Sequence, residues 1–143
     1  MSITPLPSIL VLVTNQHSCE RLIRAGKRLT GADEQLRVLS IQPRKDAPAS
    51  NDALEHLFTV SSEMRAEMAV YYSDAPVETA GMYIARHPVI RIVVGCNPSG
   101  TSMFIAQLHS AFPALPITIV QQDGTLSELP AACFGEETSP SLS

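Results

Sequence analysis

Gly95-Cys96-Asn97-Pro98-Ser99-Gly100-Thr101-Ser102 is the stretch of this chain whose residue types and spacing could do chemistry. It follows the apolar run Val89-Ile90-Arg91-Ile92-Val93-Val94 and precedes a segment of helical periodicity. A strand that ends in glycine and small polar residues, then feeds a helix, aims several backbone N–H groups at one spot where the helix dipole also favours negative charge. Two glycines let that backbone approach a ligand with no Cβ in the way. The chemistry implied is capture of a phosphate or another anion. Cys96 adds a thiol to the same turn, so a redox or acyl-transfer activity based on Cys96 stands beside the plainer reading of a small residue filling a tight turn.

Other chemistry is poorly supplied. His17, His56, His87 and His109 are scattered, with no His-x-x-x-His pair or neighbouring carboxylate cluster, and read as surface histidines rather than metal ligands. Ser18-Cys19-Glu20 and Ser73-Asp74 lack a glycine-flanked nucleophile elbow, so no hydrolase triad is supported. Cys19, Cys96 and Cys133 are odd in number and widely separated, with no Cys-x-x-Cys spacing, and read as thiols rather than a disulfide framework or a zinc site. Tryptophan is absent and aromatics make up 5%, which leaves few stacking surfaces for bases or sugars.

The elements that must position the turn alternate along the chain. Ser8 to Val13 reads as a continuous apolar strand closed by Thr14-Asn15-Gln16-His17. From Ser18 to Thr30, Leu22, Ile23, Gly26 and Leu29 repeat at helical spacing, with Arg21, Arg24, Lys27 and Arg28 turned outward and Gly31 as the stop. A second strand spans Leu36 to Ile41, and the proline- and charge-rich Pro43 to Ala49 is a loop. Asn51 or Asp52 caps a second helix carrying Leu54, Leu57, Phe58 and Met64, and Met68 to Tyr72 is a third strand, its aromatics read as packing residues. Ser73-Asp74-Ala75-Pro76 starts a third helix over Val77 to Arg86, with Val77, Ala80 and Ile84 inward. Strand four is Ile90 to Val94, a fourth helix covers Thr101 to Ser110, and strand five is Ile117 to Val120. Apolar strands alternating with helices predict an α/β domain with a parallel sheet covered on both faces.

The chain has 143 residues, 45% of them hydrophobic, and a formal charge of -4. One globular domain over residues 1–121 fits this size, with 122–143 as a C-terminal extension, a turn or short excursion followed by disorder. No lysine-arginine cluster offers an electrostatic footprint for nucleic acid or an anionic membrane. The longest apolar runs fall far short of a membrane span. Met1-Ser2-Ile3-Thr4 lacks the layout of a signal peptide, which points to the cytoplasm.

Ile9-Leu10-Val11-Leu12-Val13-Thr14, followed by Ser18-Cys19-Glu20-Arg21-Leu22-Ile23-Arg24-Ala25-Gly26-Lys27-Arg28-Leu29, resembles the opening of a universal stress protein domain, closest to the version inside potassium-responsive sensor histidine kinases. Ala69-Val70-Tyr71-Tyr72-Ser73-Asp74, a helix ending at Arg86-His87-Pro88, and Ile90-Arg91-Ile92-Val93-Val94-Gly95 resemble that family's third strand, third helix and fourth strand in the same order. The resemblance covers Ser8 to Gln121. It implies a doubly wound, adenine nucleotide alpha hydrolase-like sheet of five parallel strands in the order 3-2-1-4-5 with helices on both faces. It also implies a homodimer, and an adenine nucleotide bound in some members only.

The family's nucleotide signature is glycine, two residues, glycine, nine residues, then glycine and serine or threonine. Gly95 resembles the first glycine and Gly100-Thr101 the closing pair, but these glycines stand five positions apart where the signature has thirteen. Pro98 occupies the place of the second glycine, and proline has no N–H to offer a phosphate. The family's acidic residue after strand one is replaced by Thr14-Asn15, and the serine-glycine-rich loop of the related ATP pyrophosphatases is missing there, which argues against adenylating chemistry. In such a sheet a ligand sits where strands one and four part, so the candidate site is Thr14, Asn15, Gly95, Gly100, Thr101 and Ser102.

The resulting expectation is a non-enzymatic stress-response or signalling domain with no cofactor or weakly bound ATP or AMP. A genuine ATP- or AMP-binding member of the family is the alternative. Strand five would be an edge in the order 3-2-1-4-5, and Ile117-Thr118-Ile119-Val120 carries no charge to discourage pairing, so a homodimer through that strand is expected. The competing reading is that residues 122–134 fold back and cover the edge.

Overall fold

A computed structural model of the chain describes residues 6–14, 17–46, 52–96 and 103–130. Strand β1 (Ser8–Val13) is buried at every position, because it lies between two parallel neighbours, β2 (Gln35–Gln42) and β4 (Val89–Gly95), and has both faces covered. Its side chains alternate between two cores. Ile9, Val11 and Val13 meet Val38 and Val93 on one face, where α1 (Glu20–Leu29) packs Leu22, Ile23 and Ala25 and α2 (Asp52–Glu63) packs Leu57 and Val60. Leu10 and Leu12 meet Leu39, Ile92 and Val94 on the other, beneath Ala80 and Tyr83 of α3 (Pro76–Arg86) and Ile105 and Leu108 of α4 (Met103–Ala111).

This division follows from chain direction. The first two crossovers run from β1 to β2 to β3 (Glu67–Tyr72), and right-handed connections place both their helices on one face. After β3 the chain returns across the sheet to β4 and continues to β5 (Ile117–Val120), so the next two helices lie on the opposite face.

The architecture is α/β with a six-stranded, mostly parallel sheet in the order β3-β2-β1-β4-β5-β6. The sixth strand corrects the five-stranded expectation. Leu126–Leu129 forms β6, antiparallel to β5, through a tight turn in which Gly124 takes φ +90 and Asp123 Oδ1 accepts hydrogen bonds from the Thr125 N–H and hydroxyl. Opposite Thr118, Glu128 accepts from the Thr118 hydroxyl at 2.5 Å and from Arg91 at 2.8 Å. Burial pushes the Glu128 carboxyl up, yet these two donors outweigh it and hold it below its ordinary value. Ile117, Thr118, Ile119 and Val120 therefore have strand partners on both sides, and strand five is not an open edge. The rest of the expected extension, residues 131–143, lies outside the described residues.

Two core assignments also shift. The buried stripe of α2 runs through Leu54, Leu57, Val60 and Ser61, a rotation that leaves Phe58 44% exposed. In α3, Tyr83 is buried alongside Ala80, while Val77 and Ile84 are only half-buried.

Candidate functional site

At the C-terminal ends of β1 and β4 the chain departs toward opposite faces, to α1 from one strand and to α4 from the other, and neighbouring loops at such a point leave a crevice. A cavity of about 550 Å3 opens there. Its depth is apolar, walled by Leu12, Leu39 and Ile41 of β1 and β2 and by Phe104 and Ile105 of α4, with the exposed Pro76 at the start of α3 on its rim. Its mouth is polar, with Thr14, Ser18, Arg21 and Gln122.

Thr14 and Gly95, expected from the sequence, both line this cavity, as does Cys96. Asn15, Gly100, Thr101 and Ser102 lie outside the described residues, as does the proposed anion turn from Asn97 onward. A Cβ added to Gly95 would stand 3.1 Å from Leu22 Cδ1 and 3.2 Å from Leu22 Cδ2, so glycine there lets α1 close against the strand end. The N-terminus of α1 opens onto the same cavity. It follows a 3-10 turn, His17–Cys19, and its N-cap, Cys19, makes no side-chain capping bond. Instead the buried Cys19 Sγ lies 3.3 Å from Thr14 Oγ1, which ties the helix start to the end of β1.

Arg21 is the cavity-lining residue that sequence reasoning missed. Grouped by helical periodicity with an outward basic stripe, it is in fact half-buried and reaches across from the first turn of α1 to the end of β5. One terminal nitrogen donates to the Gln121 carbonyl at 3.0 Å and to the Val120 carbonyl at 3.4 Å. Arg24, Arg37 and Arg91 are each paired with a carboxylate, Glu20, Glu67 and Glu128 respectively, whereas among the described residues none pairs with Arg21. A signal was present in the sequence: a cation in the first turn of a helix opposes the macrodipole, so it gains nothing from its own helix and is explained by something beyond it.

His56, His87 and His109 are engaged elsewhere. His56 Nε2 lies 2.7 Å from Glu20 Oε1, a contact that, with Arg24, draws the Glu20 carboxyl below its ordinary value. His87 sits at the opposite end of the sheet against the Tyr83 ring, with centroids 4.3 Å apart, and His109 Nε2 is 3.2 Å from the Pro130 carbonyl. Among the described residues no group of three or more His, Cys, Asp or Glu side chains is placed to hold a metal ion, and no helix is long and apolar enough to cross a membrane.

Chemically, an apolar slot under a guanidinium suits a molecule with a flat or aliphatic body and an anionic group. The chain matches no known protein-family model and no curated protein.

Proposed function

We propose that this domain is a non-enzymatic ligand-sensing module of the universal stress class, whose cleft takes an amphiphilic anion, with an adenine nucleotide as the first candidate. The observation that carries the reading is the cavity itself: about 550 Å3 where β1 and β4 part, apolar within, with the Arg21 guanidinium at its mouth. The class assignment is supported by the strand order, in which the five parallel strands run 3-2-1-4-5 before β6 is added.

Arg21 takes over part of what the shortened glycine loop lacks. A guanidinium offers five N–H donors in a planar fork, and the carbonyls of Val120 and Gln121 engage one nitrogen while fixing the side chain's direction. The fork is thus held in place before a ligand arrives, which reduces the ordering cost of binding. Leu39, Ile41 and Pro76 offer flat apolar contact to the ligand body.

Thermal denaturation with ATP, AMP and uncharged adenosine tests this. Millimolar ATP or AMP raises the melting temperature by a few degrees, since binding to the folded state alone stabilises by mass action. Adenosine gives less, and Arg21→Met removes the excess given by the phosphates. The absence of any shift with all three ligands overturns the reading.

A further inference from the structure

The sheet ends in two strands that each leave one side without a neighbour, and the two are protected differently. At one edge β6 is short, carries Glu128 within it and is followed by Pro130, all features that discourage a further strand. At the other, β3 spans six residues, and after Glu67 its Met68-Ala69-Val70-Tyr71-Tyr72 has neither charge nor proline. We propose that the outer edge of β3 is a self-association surface, where a second copy of this chain adds its own β3 antiparallel and joins two sheets into one.

Backbone direction shows which groups the edge offers. The Ser73 N–H donates to the Gln42 carbonyl at 2.8 Å, so by strand alternation Ala69 and Tyr71 turn their amides and carbonyls to β2, while Met68, Val70 and Tyr72 turn theirs outward. Among the described residues no strand or loop pairs with that outward set. Met68 to Tyr72 are each half-buried, because helices cover both faces of β3 and leave its side open.

Both covering helices bring apolar surface to the same edge. In α2, His56 reaches α1 through Glu20 at 2.7 Å, and Phe58, about 160° further round the helix, stands on the flank away from α1. One turn beyond Phe58, the Ser61 hydroxyl lies 3.7 Å from Met68 Sδ, which fixes that flank over β3 and accounts for the 44% exposed phenyl. In α3, Val77, Gly81 and Ile84 form one row, and the Phe112 ring just past α4 lies where a Gly81 side chain would be. Met82, 57% exposed, is on the opposite flank. Phe58 and Met82 thus border the open backbone from its two faces.

The occupant follows from the complementarity of this edge with itself. An antiparallel copy centred on Val70 sets Val70 opposite Val70 and Met68 opposite Tyr72, so each outward N–H of one copy meets an outward carbonyl of the other. Charge selects the same orientation. Exposed Arg65 precedes the strand and exposed Asp74 follows it, so antiparallel copies set the basic end of each beside the acidic end of the other, whereas parallel copies would set like against like. Glu67, the one charge within the strand, falls opposite Ser73 and is already paired with Arg37 at 2.8 Å.

Sedimentation equilibrium of the whole chain tests the proposal. A dimer at tens of micromolar is expected, weakened about tenfold or more in Phe58→Glu and in Met82→Glu and unchanged in Leu126→Glu on β6. A monomer throughout, a dimer indifferent to Phe58→Glu and Met82→Glu, or one dispersed by Leu126→Glu overturns it. Amide hydrogen exchange of the unaltered chain, read at single residues, guards against misfolded variants: dilution to monomer speeds exchange at Met68, Val70 and Tyr72 and leaves Ala69 and Tyr71 protected. An equal change at all five amides, or none, contradicts the pairing. Neither readout involves a nucleotide, so the result stands apart from the anion reading.

Discussion

Each end of the sheet holds an arginine that reaches over a strand terminus, and the two are used in opposite ways. At the N-terminal ends of the strands, Arg37 donates to the buried Ser8 hydroxyl at 3.0 Å and to Glu67 at 2.8 Å, and burial first, then the Arg37 charge, lowers the proton affinity of nearby His87. Tyr83 packs there between Tyr71 and His87, and burial raises its phenol above the ordinary value. At the C-terminal ends, Arg21 meets backbone carbonyls and, among the described residues, no carboxylate, above a cavity rather than a packed aromatic cluster. The first arrangement satisfies its own polar groups and so contributes to stability. The second leaves donors and apolar surface for something else. Similar residues at two ends of one sheet thus separate into scaffold and site according to whether their partners are already present.

The most severe way to break this contrast is to damage what both ends share. Leu39 is fully buried in β2 and also walls the cleft, so Leu39→Ala costs about 2–5 kcal/mol, measured by urea denaturation, and weakens ligand binding as well. The contrast is sharpened by exchanging each arginine for methionine. Arg37→Met leaves the buried Ser8 hydroxyl without its donor and costs about 1–3 kcal/mol, with nucleotide affinity unchanged. Arg21→Met has the reverse pattern, a stability change within about 1 kcal/mol and a loss of nucleotide affinity of about tenfold or more by calorimetry. Equal effects of the two substitutions on both quantities would erase the distinction.

Smaller effects probe the margins. Glu128→Gln weakens the tie between β6 and Arg91, a partly exposed pair, and costs under about 1 kcal/mol, seen as faster amide exchange in β6 and the outer part of β5. The smallest effect is a pH dependence at the scaffold end. Burial first, then Arg37, lowers the His87 pKa in the folded chain, while the unfolded chain protonates near 6.5. Below that pH the unfolded state holds more protons, so stability falls as pH drops through about 6.5 and levels off once folded His87 is also protonated. His87→Gln removes this step and leaves the acid-range loss due to Glu20 and Glu128, whose carboxyls are held low.

The parallel strands were legible because central strands are written as apolar runs, and β5 has the predicted ends. β6 was not: Leu126-Ser127-Glu128-Leu129 is too short to show a period, and what ties it down is the β5 ladder with Thr118 and Arg91, the last distant in sequence. The Asp123-Gly124 turn was its one local sign. Thr14 and Gly95 could be located because strand ends and topology suffice to place them. Arg21 could not, since helical periodicity assigns a face relative to the helix alone, and the carbonyls that draw this side chain inward belong to the end of β5. Tyr83 and His87 stand one helical turn apart, so their contact was within reach of spacing rules even though His87 was assigned to the surface.

The most direct test is a titration of the isotopically labelled chain with ATP, followed amide by amide by NMR. The cleft reading predicts saturable shifts concentrated at Thr14, Ser18 to Leu22, Gly95, Cys96 and Phe104, with Arg37, Glu67 and His87 unmoved. Shifts centred on Arg37 and His87 instead, or none at millimolar ATP, would contradict it.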